Sequence, residues 1–108
     1  MKRIEIPFRD DMAIAAIDGE KTKTTRSKRY GDAGDVFEIT DPRTGKDHAF
    51  VLTSVFRSKL AHVAVAFCRA EGCRDSEAFI KVWKELHPRN GWTPEETRVV
   101  HAFMRVKE

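Results

Sequence analysis

The stretch Gly19-Glu20-Lys21-Thr22-Lys23-Thr24-Thr25-Arg26-Ser27-Lys28-Arg29 decides how this chain is read. From Lys21 onward it carries the cations Lys21, Lys23, Arg26, Lys28 and Arg29 with no acid among them. Such density makes a positive potential, and the interleaved hydroxyls of Thr22, Thr24, Thr25 and Ser27 add neutral donors and acceptors, a mixture that suits phosphate or a nucleoside. A basic run alone is most often a solvated face. No apolar period of helix or strand runs from Glu20 to Gly34, so a long surface loop is expected there, and loops of that length in compact domains usually carry function.

On the N-terminal side, Arg3 to Phe8 alternates polar and apolar residues, with Ile4, Ile6 and Phe8 on one side, the period of a half-buried strand; Pro7 restricts it to an edge or a strand end. Asp10 is placed to cap a short helix with Met12, Ala13, Ala16 and Ile17 on one face, closed by Gly19. On the C-terminal side, Val36, Phe37 and Ile39 form a strand. Asp41-Pro42-Arg43-Thr44-Gly45 reads as a turn, and His48 to Phe56 reads as the second strand of an antiparallel hairpin. Leu60 to Ala70 is apolar at helical spacing and ends near Gly72, which puts Glu71 at a helix terminus. Asp75 or Ser76 caps a further helix whose stripe Phe79, Val82, Trp83 and Leu86 reads as core. Thr93-Pro94-Glu95-Glu96 suggests one helical turn before a final strand from Arg98 to Val106.

Composition agrees with a folded α+β domain. Apolar residues at 41% and charged residues at 34% place the chain among globular sequences, and its 108 residues fit one domain over positions 1–108. A formal charge of +3 favours phosphate-bearing partners without requiring them. Cys68 and Cys73 are too few for a disulfide scaffold, so reduced thiols and a cytoplasmic location are expected. No apolar run approaches the roughly 20 residues that cross a bilayer, so no membrane association is expected. The two cysteines and the scattered His48, His62, His87 and His101 lack metal-ligand spacing, so neither a metal nor a cofactor is expected. Tyr30 and Trp92, each next to a glycine, suit either a core edge or stacking on a base. None of these patterns fixes the oligomeric state.

Gly19-Glu20-Lys21-Thr22-Lys23-Thr24-Thr25-Arg26 resembles the motif of the ASCH family, in which glycine, any residue, lysine, threonine, any residue, threonine and an arginine follow the first helix. The likeness continues through Gly34-Asp35-Val36-Phe37, Ala70-Glu71-Gly72, Ser76-Glu77-Ala78-Phe79 and Trp83. It implies a PUA-like mixed β-barrel with flanking helices. It also implies the activity of small bacterial members that remove the acetyl group of N(4)-acetylcytidine with a lysine, a threonine and a glutamate, here Lys21, Thr24 and Glu71. Thr22, Lys23, Arg26, Lys28 and Arg29 are then the residues expected to bind substrate or RNA, with Arg26 alternatively pairing with Asp35. Amide hydrolysis needs a nucleophile, a proton donor for the leaving amine and oxyanion stabilisation, roles these side chains can divide. Lys21 would act as base if burial or its cationic neighbours lower its pKa, and Glu71 at a helix end would keep its proton and act as acid. The motif arginine is followed by Ser27-Lys28-Arg29 where the bacterial hydrolases carry an acid, which points from a free nucleoside towards a phosphate-bearing one. The same family implies two other functions, RNA binding without catalysis, as in PUA domains, and a nuclease activity on RNA. The expected partner is therefore a nucleoside or RNA.

Overall fold

The computed structural model describes residues 1–107. The described residues form three helices, α1 (Asp10–Ile17), α2 (Leu60–Ala66) and α3 (Ser76–Leu86), and four strands, β1 (Lys23–Arg26), β2 (Val36–Thr40), β3 (Asp47–Lys59) and β4 (Thr97–Arg105), in the order α1-β1-β2-β3-α2-α3-β4. The strands form one antiparallel sheet in the order β1-β4-β3-β2, an α+β architecture. The sheet curls into a half-barrel instead of closing, because β1 and β2 remain its edges.

The β2–β3 hairpin forms as its pattern dictates. Asp41 Oδ1 accepts from the backbone N of Arg43 at 2.9 Å within the turn, and Val36↔Val51 through Thr40↔Asp47 sets the register. β3 is long enough to serve both ends of the sheet, and a bulge between Leu52 and Ser54 leaves Thr53 without a counterpart on β4. One extra residue exchanges the two faces of everything beyond it. Leu52 and Val55 therefore share one face, opposite Phe103 and His101, while Phe56 turns to the other beside Val100.

This exchange produces two cores. On the first face, Phe37, Phe50, Leu52 and Phe103 pack with Ala13, Ala16 and Ile17 of α1 and with Ile6. On the second, Val100 packs with Leu60, Val63 and Ala64 of α2, with Phe79 and Trp83 of α3, and with Cys73. Asp75 starts α3 as expected, its carboxylate accepting from Ala78 N at 2.8 Å. α1 is capped by Arg9, so Asp10 takes the first helical position, where its charge complements the helix dipole.

Three expectations are corrected. The span from Glu20 to Gly34 is not all loop, since Lys23–Arg26 forms β1 against β4. Its threonines are buried without being apolar, so no hydrophobic period announces them. Arg3 to Phe8 makes a single parallel bridge, Arg3–Val36, and not a strand; Ile6 is buried nonetheless. Pro7, with no N–H, cannot extend a ladder. α2 ends at Ala66, and the chain then passes through turns in which Glu71 N donates to Phe67 O and Cys73 N to Cys68 O, both at 2.9 Å. Glu71 thus sits beyond the helix, in an isolated bridge with Lys21. The expected barrel is borne out in part, as a curled four-stranded half-barrel left open between β1 and β2.

Candidate functional site

The edge strand β1 builds the site. Phe103 N donates to Thr22 O at 2.9 Å, and ladder alternation carries the hydrogen-bonded positions on through Thr24–His101 and Arg26–Val99. The backbone N–H and C=O of Thr25 consequently point away from β4, towards the free edge. Side chains alternate in the other sense, with Thr24 and Arg26 on the first face and Thr25 on the second. A cavity of about 630 Å³ wraps this edge, lined on one side by Phe8, Arg26 and Tyr30 and on the other by Glu71, Phe79 and Trp83. Lys21, Thr24 and Thr25 lie on its walls as well.

Lys21 and Glu71 are each only 4% exposed. Lys21 Nζ donates to the Glu71 backbone carbonyl at 2.8 Å and to Oε1 at 3.4 Å, while Thr25 Oγ1 donates to the other carboxylate oxygen, Oε2, at 2.7 Å. The turn carrying Glu71 is held against β1 because Ala70 O accepts from Thr22 N at 2.7 Å and from Lys23 N at 2.9 Å. Gly72 permits this approach: its φ of +90° lies in the left-handed region, and a Cβ there would stand 3.3 Å from Lys21 Cβ. Burial pushes the Lys21 amine below its ordinary range; the Glu71 charge opposes that shift and Arg26 adds to it. The direction is the one expected of a lysine base. No helix ends at Glu71, so the helix-end reading of its role is lost; its carboxylate instead accepts from Lys21 and Thr25.

On the other face, Arg26 Nε donates to Thr24 Oγ1 at 3.0 Å. The guanidinium carbon lies 5.0 Å from the centroid of the Phe8 ring and 5.9 Å from that of Tyr30, cation–π distances. Arg26 does not pair with Asp35, which accepts instead from Lys2 N at 3.1 Å and Asp32 N at 2.8 Å. Lys28 Nζ lies 4.9 Å from the Tyr30 centroid. Below them His101 is fully buried, accepting from Tyr30 N at Nε2 (3.0 Å), with Nδ1 3.3 Å from Thr24 O. Nε2 as acceptor leaves the proton on Nδ1 to reach Thr24 O, and burial holds the imidazole below its ordinary pKa. His101 thus ties the Tyr30 loop to β1.

Of the residues read from sequence, Lys21, Thr24, Glu71, Arg26 and Lys28 meet at the cavity, while Thr22, Lys23 and Arg29 do not line it. Lys23 Nζ lies over Phe67 at 5.2 Å, and Arg29 is engaged by Asp32 at 2.7 Å. In the sequence Thr25 has no role of its own and His101 is marked only as one of four scattered histidines, and nothing local distinguishes Thr25 from Thr24. The α3 stripe has two parts: Phe79 and Trp83 are buried core that also walls the cavity, whereas Val82 and Leu86 line the cavity and Leu86 is 52% exposed. Trp92 packs edge-on against Phe79 and Tyr30 lines the cavity, so the two aromatics left open by the sequence take different parts. Among the described residues no three of His, Cys, Asp and Glu gather as a metal set. No described helix is long and apolar enough to cross a membrane.

A curled antiparallel half-sheet with helices on both faces and a cavity at its edge strand defines a class of small α+β domains. Within that class the fold is that of the ASCH domain. The chain superposes on the crystal structure of an ASCH domain from Lactobacillus crispatus JV V101 with a TM-score of 0.68 and 15% identity, covering 96% of this chain and 78% of that one. It superposes on protein EF3133 from Enterococcus faecalis V583, assigned to the DUF984 family, with a TM-score of 0.67 and 22% identity, covering 97% of this chain and 78% of that one. No family model and no curated protein matches the sequence. The ASCH resemblance read from the Lys21 to Arg26 motif therefore holds at the level of fold.

Proposed function

We propose that this chain hydrolyses the exocyclic amide of an acylated cytidine or a related nucleoside, of which N(4)-acetylcytidine is the type, with Lys21, Thr24 and Glu71 as its catalytic set. The observation that carries this reading is a buried Lys21–Glu71 pair opening into a cavity of about 630 Å³, within the size range of small-molecule sites. A buried ion pair is a poor stabilising device, so its position at a cavity favours a chemical role.

The chemistry balances with these groups and water. Thr24 lies on the opposite face of the sheet edge from Lys21. As Oγ1 attacks the acyl carbon, its proton therefore passes through a water in the cavity that both side chains line to the Lys21 amine, whose proton affinity burial lowers. Arg26 Nε, already donating to that oxygen, favours its anionic form. The lysine then returns the proton to the exocyclic nitrogen as the C–N bond breaks. Water cleaves the threonyl ester, releasing acetate and restoring the hydroxyl. Glu71 holds the lysine amine in place, and the outward N–H and C=O of Thr25 offer a donor and an acceptor to a planar base. The same proposal includes a PUA-like relationship for the half-barrel, one domain over the whole chain and a cytoplasmic setting.

The test is release of acetate and cytidine from N(4)-acetylcytidine. Lys21→Ala and Thr24→Ala are each expected to lower turnover by at least about a hundredfold with the fold intact, since each removes a positioned catalytic group. Near-normal turnover in either variant rejects that residue's role. The unpaired cations Arg26 and Lys28 favour a second reading, RNA binding without catalysis or an RNA-processing nuclease, with Thr22, Lys23 and Arg29 extending the surface beyond the cavity. An affinity for RNA that falls steeply between about 50 and 200 mM salt, with no acetate released, selects it.

A further inference from the structure

The charges around the cavity do not cancel. Lys21 is matched by Glu71 at 3.4 Å, and Arg9, on the rim, is matched by Asp11 at 2.7 Å and Glu85 at 3.2 Å. Arg26 and Lys28 have no carboxylate partner among the described residues, although both line the cavity. They flank one ring, at 5.9 and 4.9 Å from the Tyr30 centroid, with the Ser27 residue between them in sequence also on the lining. The side chains that engage the Arg26 guanidinium, Thr24 at Nε and Tyr30, are both uncharged, which leaves its charge unmatched. Two like charges gathered at one aromatic ring with no carboxylate partner from the described residues are electrostatically incomplete.

We infer that the ligand completes this arrangement with a phosphate group held by Arg26 and Lys28, so that the cavity takes a nucleoside monophosphate in preference to the free nucleoside. The inference rests on the reading of the cavity as a nucleoside site. A phosphomonoester carries about −1.5 to −2 charges at pH 7, which matches two cations, whereas a carboxylate carries one. The terminal nitrogens of an arginine bind phosphate oxygens in parallel, and the lysine adds a mobile point charge. The occupant is a mononucleotide and not a polynucleotide because only two unpaired cations line the cavity, and Arg29, next in sequence, is already engaged by Asp32.

Isothermal titration of the wild-type protein with cytidine, cytidine 5′-monophosphate and tetracytidylate tests this directly. The monophosphate is expected to bind at least about tenfold more tightly than cytidine, about 1.4 kcal/mol. A mononucleotide has no condensed counterion atmosphere to release, so its affinity should fall only weakly with salt, by less than about tenfold between about 50 and 200 mM. Lys28→Gln, a change at an exposed position, should remove most of the preference, and Arg26→Gln should remove it too, whereas Arg29→Gln should preserve it. Equal affinity for cytidine and its monophosphate, absence of binding by both, or a preference that survives Lys28→Gln and Arg26→Gln overturns the inference. So does tighter binding of tetracytidylate than of the monophosphate, with the steeper salt dependence of a chain that neutralises several phosphates, which assigns the cations to a polynucleotide. Rates on N(4)-acetylcytidine and its 5′-phosphate separate this inference from the hydrolase reading. Equal efficiencies on both leave the hydrolase standing and the phosphate subsite rejected; a monophosphate preference in binding without any hydrolysis does the reverse.

Discussion

The two faces of the sheet bury different things. On the first, the Phe37, Phe50 and Phe103 rings meet with centroids 5.6–5.7 Å apart, and Phe8 joins them at 6.1–6.2 Å. On the second, the apolar cluster of α2 and α3 stops short of β1, and the interval is filled by a lysine, a glutamate and a threonine bonded to one another. Aromatic packing gains stability from dispersion and burial, whereas a buried ion pair scarcely recovers its desolvation cost. Each face carries an apolar core, but next to β1 the second gives up part of that stability to place a buried ion pair at the cavity.

The sharpest way to break that contrast is to make both faces apolar. Phe103→Ala should lower stability by about 3–5 kcal/mol in urea denaturation by leaving a void among the rings. Glu71→Leu should cost a similar 3–5 kcal/mol, because it strands the Lys21 charge in the interior. The double variant Lys21→Met with Glu71→Leu should recover to within about 1 kcal/mol of wild type or exceed it, with all hydrolysis lost. If the double variant is as unstable as Glu71→Leu alone, the pair is structural and the contrast fails.

A smaller effect separates the adjacent threonines. Thr25→Val removes the donor to Glu71 Oε2 and should cost about 1–3 kcal/mol, while turnover falls less than in Thr24→Ala. The reverse order of turnover would transfer the nucleophile's role to Thr25. The smallest expected effect is a pH dependence on the first face. The folded-state pKa of His101 lies below its ordinary 6.5, so the unfolded chain takes up the proton first. Its contribution is fully present above pH 6.5 and is lost as pH falls from there through the folded value. A melting temperature followed from pH 8 to 5 should show this loss, reduced in His101→Gln; an identical profile in the variant would remove His101 as its source.

What the sequence disclosed follows the same division. The β2–β3 hairpin and α3 were legible because their inward residues are apolar at the proper period and their turns and caps carry Asp41 and Asp75. β1 was not legible as a strand, since Thr24 and Thr25 face the site and leave no hydrophobic alternation; β-branching was its only hint. Alternation from Ile4 to Phe8 suggested a ladder, yet periodicity reports burial and not pairing. Lys21, Arg26 and Lys28 could be picked out by their chemistry, and Thr24 and Glu71 by the family motif. Which threonine would meet Glu71, 46 residues away, depends on strand register and is encoded in no local pattern.

β4 also gives the molecule an order of assembly. Among the described residues it is the only ladder partner of β1, and Thr24 lies 77 residues before His101. The β2–β3 hairpin can close as soon as its residues leave the ribosome, but β1 has nowhere to pair until Thr97–Arg105 has been made. A chain interrupted before that strand can hold a hairpin and helices but no complete cavity, so ligand will rescue only molecules synthesised through β4. Occupancy of the site thereby reports that synthesis has passed the last strand.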